Sequence, residues 1–341
     1  MNRDDALVLT RRNFVSLAAA VPVAAAASSA HASDSKRNVV SNRRAAFVTA
    51  ALEVGVRPAD DATARSWVNT EQQFAEQVRF AHATGIGSLL ISLDAAPTRD
   101  VLFRNWLRLQ RWVSATEAAT LQSNAEPAAM GRVGVVACLR DTQRFAAQLD
   151  DLADFRASGI AVMGLACDWK GAYGDGALER SDLSLTALGA KAVKRMNGER
   201  IVIDLARMGR RGSLEVMASS SHPVIFSHTN AAALQEHPLN ATDEQIKACA
   251  ARGGVIGIGH SPLPASNEQR VQVEQTVRHI EHVIQLVGID HVGLAVLEIE
   301  PVVTRLRARG LTDQQVAQVS GENFRRVFQQ VSQSVSAGNA A

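Results

Sequence analysis

The sequence has little net charge, few cysteines and no apolar run long enough to span a bilayer. Each shortage excludes a class of protein. Lysine and arginine outnumber aspartate and glutamate by only 36 to 34, a formal net charge of +2. A near-neutral chain without a basic run offers no electrostatic reason to bind nucleic acid. The three cysteines, Cys138, Cys167 and Cys249, are an odd number and not a disulfide framework. Aromatic residues make up only 4% of the chain. The apolar stretch at residues 16–27 is shorter than the roughly 20 residues a spanning helix needs. A single histidine, His82, lies between residues 33 and 200. What is present is 341 residues, 46% hydrophobic, enough for one large core.

The N-terminus reads as a targeting segment. Arg11 and Arg12 precede the modest apolar run, and Ala30-His31-Ala32 supplies a small-x-small cleavage site. Charge, apolar run and cleavage site in that order predict a twin-arginine export signal over residues 1–32 and a periplasmic location. An uncleaved anchor is the open alternative. Removing the segment leaves a net charge of +1. Residues 33–44, polar and basic, are expected to be a linker, 45–335 the folded unit and 336–341 a tail.

Beyond the linker, continuous apolar runs alternate with amphipathic stretches. The runs are 46–52, 88–93, 133–138, 161–166, 201–205, 224–227, 254–259 and 291–297. Such runs suit strands buried on both faces. Helical patterns fall at 71–84, 142–157, 185–197, 242–252 and 268–287, and 312–331 reads as two short helices split near Gly321. Eight strands alternating with helices predict an α/β fold of the (β/α)₈ TIM-barrel type. An open doubly wound sheet is the runner-up, but no Gly-rich phosphate loop follows the first run. In a barrel, chemistry sits at the carboxyl ends of the strands. That rule selects Ala50, Leu52, Asp94, Leu139, Arg140, Cys167, Asp168, Asp204, Arg207, His228, His260, Leu297 and Glu298. Asp94, Asp168 and Glu298 also suit helix caps or solvated loops.

Three segments carry a resemblance. The first runs Pro223-Val-Ile-Phe-Ser-His-Thr-Asn-Ala231, then His237-Pro-Leu-Asn-Ala-Thr-Asp-Glu-Gln245, then Arg252-Gly-Gly-Val-Ile-Gly257. The second is Leu286-Val-Gly-Ile-Asp-His-Val-Gly-Leu294. The third joins Arg309-Gly-Leu-Thr-Asp313 to Gly321-Glu-Asn-Phe-Arg-Arg-Val327. Together they resemble membrane (renal-type) dipeptidases, firmly over the second half of the chain. The resemblance implies a (β/α)₈ barrel holding two zinc ions that cleaves dipeptides, a metallo-dependent hydrolase with a homodimer as an expected assembly.

Carried over position by position, that site is largely missing. The family's sixth-strand histidine matches His228. Its fifth-strand histidine, in an Asp-Leu-Ser/Ala-His pattern, is replaced by Arg207 in Asp204-Leu205-Ala206-Arg207. The bridging Glu falls in Ala137-Cys138-Leu139-Arg140, where there is none. The His-x-Asp pair of the first strand falls in Thr49-Ala50-Ala51-Leu52, without either ligand. Cys167 stands for a substrate-contacting histidine, Leu297 for the catalytic-site Asp and Leu239 for the Arg of an Arg-Asn pair. One ligand position of five is kept.

A catalytic zinc needs about three protein ligands. Arg207 cannot serve, because a guanidinium has no lone pair to give and repels a nearby metal ion. It could instead neutralise Asp204 or hold a carboxylate bidentately, either as a structural repair or as a seat for an anionic peptide end. Cys167, His228 and His260 could form a different zinc site, or Cys167 a nucleophile with a histidine base; unrelated rim residues are the preferred reading. Cys138 and Cys167 end neighbouring runs, which leaves a disulfide open. His279 and His282 are expected on a solvated outer helix face, and Cys249 in helix packing. Two functions remain. One is a pseudoenzyme without cofactor that binds a small peptide or anionic ligand. The other is an active metallo-dipeptidase or related hydrolase, using zinc at a rebuilt site, on dipeptides or peptide natural products.

Overall fold

The structure is a computed structural model that describes residues 46–54, 67–68, 70–93, 96, 98–123, 131–146, 148–259 and 269–333, with backbone only at 46–54, 67 and 269. The signal segment, linker and tail lie outside the described residues.

The elements follow in order: β1 (Ala46–Val54), β2 (Trp67–Val68), α1 (Glu71–Ala83), β3 (Ile86–Ser92), α2 (Arg99–Ala115), β4 (Ala119–Gln122), β5 (Val133–Leu139) and α3 (Asp150–Ala157). Then come β6 (Val162–Gly164), α4 (Ala187–Gly198), β7 (Val202–Asp204), α5 (Arg210–Ser219), β8 (Ile225–Thr229), α6 (Asp243–Ala251), β9 (Val255–Ile258), α7 (Gln269–Val287), β10 (Val292–Leu294), α8 (Ile299–Ala308), α9 (Asp313–Ala317) and α10 (Asn323–Gln333). The eight predicted runs become β1, β3 and β5 to β10. All pair in parallel, in the order β10-β9-β8-β7-β6-β5-β3-β1, and β10 returns against β1. This is the curled parallel sheet of a (β/α)₈ barrel.

Two further strands escaped prediction. β2 has two residues, and β4 flanks β5 with its two central residues half-buried, so neither makes a continuous apolar run. The helix expected over 142–157 starts late. Thr142–Arg144 forms only a 3₁₀ turn, and the Asp151 carboxylate accepts from the Gln148 N–H at 2.9 Å, which begins a new helix at Asp150. Elsewhere side-chain caps fix helix starts. Thr242 and Thr312 each form a capping box, with Gln245 and Gln315. No helix among the described residues is long and apolar enough to cross a membrane.

The barrel interior is layered. Leu90, Val136, Cys138, Val162, Val202, Ile225 and Val255 pack with Phe324, Val327, Phe328 and Val331 of α10. Arg326 donates to the Gly253 and Asp290 carbonyls just before β9 and β10, so α10 closes the amino-terminal end. Side chains alternate faces along a strand. Stepping by two from this apolar layer toward the carboxyl ends reaches Arg140, Asp204 and Ser227. The interior therefore turns polar at the end where a barrel places its site.

Candidate functional site

Asp204 ends β7 and is 2% exposed. Its carboxylate receives three donors. Oδ1 accepts from the Ala206 N–H at 3.0 Å and the Ser227 N–H at 2.9 Å, and Oδ2 accepts from the Ser227 hydroxyl at 2.5 Å. Burial pushes the Asp204 carboxyl upward, against the pull of Ser227, the Ala206 N–H and the charge of Arg140. Ser227 Oγ also lies 2.8 Å from Nδ1 of His228, which is 5% exposed. Neighbours on a regular strand face opposite ways. Here the β8–β9 register shifts between Phe226 and Thr229, and that bulge brings the two side chains together.

Arg207 does not neutralise Asp204. It grips Asp168, with Nε to Oδ1 at 2.8 Å and Nη2 to Oδ2 at 2.7 Å, the second of its two expected roles. Asp168, which also suited a cap or a solvated loop, is its ion-pair partner across 39 residues of sequence. Both residues adopt left-handed backbone, at φ 66° and 65°. For residues with a Cβ that strain persists only where the surroundings over-determine it. The Arg207 carbonyl accepts from the N–H groups of Asp168 (3.2 Å) and Ala177 (2.8 Å), and Leu178 N–H donates to the Asp168 carbonyl at 2.8 Å. Side chains and backbone together pin the loop after β6 to the end of β7. Burial acts to lower the Arg207 pKa, but the Asp168 hydrogen bond and the Cys167 and Asp168 charges carry it upward.

The two side chains are about a quarter exposed, at 25% and 23%. Arg207→Ala should therefore destabilise by about 2 kcal/mol, below the range for a fully buried pair. Arg207→Lys should recover less than half of that, because an ammonium cannot make the planar fork. Urea unfolding of the three proteins checks this.

The other predicted positions divide. Arg140 follows β5, half-buried, and its charge is felt at both Asp204 and Arg207. Cys167 is a half-buried thiol beside Arg207, and no disulfide joins it to Cys138. Leu297 packs against the outer core. The Leu239 carbonyl accepts from the Thr229 hydroxyl at 3.0 Å. Glu298 is exposed at the start of α8. His260, Asp94 and the side chains of Ala50 and Leu52 lie outside the described residues.

The expectation for His279 is overturned. It is 3% exposed, and its Nδ1 accepts from the Ala231 N–H at 3.1 Å, tying α7 to the loop after β8. A buried backbone donor needs a partner, and this ring supplies one. Its neighbour His282 pairs with Asp243 at 2.8 Å. Cys249 packs in α6, its thiol pushed up to about 12 by burial. Burial, with the charges of His282 and Arg278, pushes His279 down to about 4. A histidine with a depressed pKa contributes stability that is complete above its unfolded value of 6.5 and lost as pH falls toward 4. The stability difference between the wild type and His279→Gln should shrink by about 3 kcal/mol across that window. Denaturation of both proteins at stepped pH measures it, and a pH-independent difference contradicts it.

Among the described residues no three His, Cys, Asp or Glu side chains converge closely enough to hold a metal ion. At the family's ligand positions, Arg207 is committed to Asp168 and Nδ1 of His228 to Ser227. The described donors do not fit a dizinc centre.

Residues 107–340, over half of the chain, match the membrane dipeptidase family, peptidase family M19. The chain belongs to the membrane dipeptidase family. Dipeptidase tcpJ of Claviceps purpurea (strain 20.1) is 28% identical over 195 residues, 52% of this chain and 46% of that protein. An uncharacterized protein in the pqqA 5' region of Klebsiella pneumoniae is 29% identical over 172 residues, 48% of this chain and 64% of that protein. The match thus spans about half the length of the former and under two thirds of the latter. The crystal structure of the probable dipeptidase PvdM from Pseudomonas aeruginosa has the same fold. Its TM-score is 0.72 at 18% identity, covering 86% of this chain and 98% of that one. Sequence reasoning selected Asp168 for this dipeptidase-family mouth without finding its partner, and it passed over Ser227 although that residue directly precedes the one retained histidine.

Proposed function

We propose that this chain is a non-catalytic member of the dipeptidase family, an exported barrel that binds a small peptide or anionic ligand where the family holds zinc. The observation that carries this reading is the bidentate pair of Arg207 with Asp168. A guanidinium at a ligand position offers donors and no lone pair, and its charge opposes a metal ion. Arg140, half-buried after β5, puts fixed positive charge at the barrel mouth, the charge a carboxylate terminus seeks. The N-terminal pattern supports twin-arginine export to the periplasm, and the family resemblance supports a homodimer. Nothing in the charge pattern favours nucleic acid.

Calorimetric titration of the mature protein with a dipeptide panel, in free and C-amidated forms, tests the ligand. Binding should need the free carboxylate. It should weaken roughly tenfold or more in Arg140→Gln, about the worth of one charge-assisted hydrogen bond. Equal binding of free and amidated peptides, or none at all, overturns it. A second reading, a hydrolase with zinc at a rebuilt site acting on dipeptides or peptide natural products, draws on His228. That ring is retained and held by Ser227 beside Asp204.

A further inference from the structure

We infer that Ser227 is a positioning residue that fixes the tautomer of His228, holding the ring proton on Nδ1 by committing its own proton to Asp204. A serine hydroxyl has one proton to give and two lone pairs to offer. Ser227 Oγ lies 2.5 Å from Asp204 Oδ2 and 2.8 Å from His228 Nδ1. The two backbone N–H groups on Oδ1 and the charge of Arg140 oppose burial and favour the ionised form of Asp204, which only accepts, so the hydroxyl proton points at Asp204. What remains toward the ring is a lone pair, so Nδ1 must carry the proton and Nε2 the lone pair. Oδ1 of Asp204 is already taken by the Ala206 and Ser227 N–H groups, which fixes the carboxylate's orientation. All three side chains are closed to water, with Ser227 1%, Asp204 2% and His228 5% exposed, so solvent cannot stand in for a missing partner. The bulge in β8 is what makes the contact between sequence neighbours.

The inference holds whether or not the chain hydrolyses anything, because it concerns which ring nitrogen carries hydrogen. That property sets what a histidine can do, and the hydrogen bond at the other nitrogen decides it.

The test is nitrogen NMR of the full mature chain with ¹⁵N-labelled histidine, the His228 signals being assigned by their loss in His228→Gln. At a pH where the ring is neutral, the wild type should show His228 protonated on Nδ1. Ser227→Thr should keep that pattern. In Asp204→Asn the amide donates to Ser227, the hydroxyl turns toward the ring, and the proton should move to Nε2. Ser227→Ala should lose the Nδ1 preference while the other histidines keep their shifts. A merely structural serine would leave the tautomer unmoved. Nε2 protonation of the neutral ring in the wild type, or an unchanged pattern in Asp204→Asn, overturns the inference. If Ser227→Ala does not fold, the wild type and Asp204→Asn decide it alone.

Discussion

Replacing Asp204 by alanine should lower stability by about 3 kcal/mol, although it removes a buried carboxyl. Three donors converge on that group, the N–H of Ala206, the N–H of Ser227 and the hydroxyl of Ser227. Each buried donor left without an acceptor costs about 1–3 kcal/mol. Relief of the carboxyl's desolvation offsets part of the sum. Asp204→Asn keeps an acceptor for both N–H groups and can donate to Ser227 Oγ, so its loss should be about 1 kcal/mol. Urea unfolding with matched slopes separates the two variants. Equal stability of Asp204→Ala and Asp204→Asn would show that the mouth does not depend on this acceptor.

Phe324→Ala should cost more, about 4 kcal/mol. The ring is fully buried in the layer that closes the amino-terminal end of the barrel. It lies over Gly293, where a Cβ would stand 2.1 Å from its edge. Alanine leaves a void between α10 and β10 that rigid strands cannot collapse to fill. Phe324→Leu, which keeps most of the volume, should lose about 1 kcal/mol. A loss below about 1 kcal/mol for Phe324→Ala would mean that α10 is not the plug described.

The eight barrel strands were legible because strands buried on both faces are written as continuous apolar runs. β4 was not, because its two central residues are only half-buried and it adds to the flank of β5. His279 was misjudged for a related reason. Position on an outer helix predicts solvent, yet His279 falls three residues after buried Thr276 and four before buried Val283, on the inward stripe of α7. The Ala231 N–H beneath it gives the buried ring a partner, a tertiary contact that the helix's own pattern does not reveal. Arg207 was recognised as an oddity from one position, but its partner was not, since nothing local links it to Asp168 across 39 residues. Ser227 could have been found. A serine directly before the retained histidine, with a buried aspartate ending the preceding strand, is a short path for a proton.

The central claim is that fixed side-chain charges and hydrogen bonds occupy the mouth where the family holds two zinc ions. Zinc content of the purified mature protein, measured together with its hydrolysis of a dipeptide panel, tests that claim most directly. The predicted result is no stoichiometric zinc after growth in zinc-supplemented medium, and no hydrolysis above the uncatalysed reaction. Two zinc ions per chain with brisk hydrolysis would contradict it.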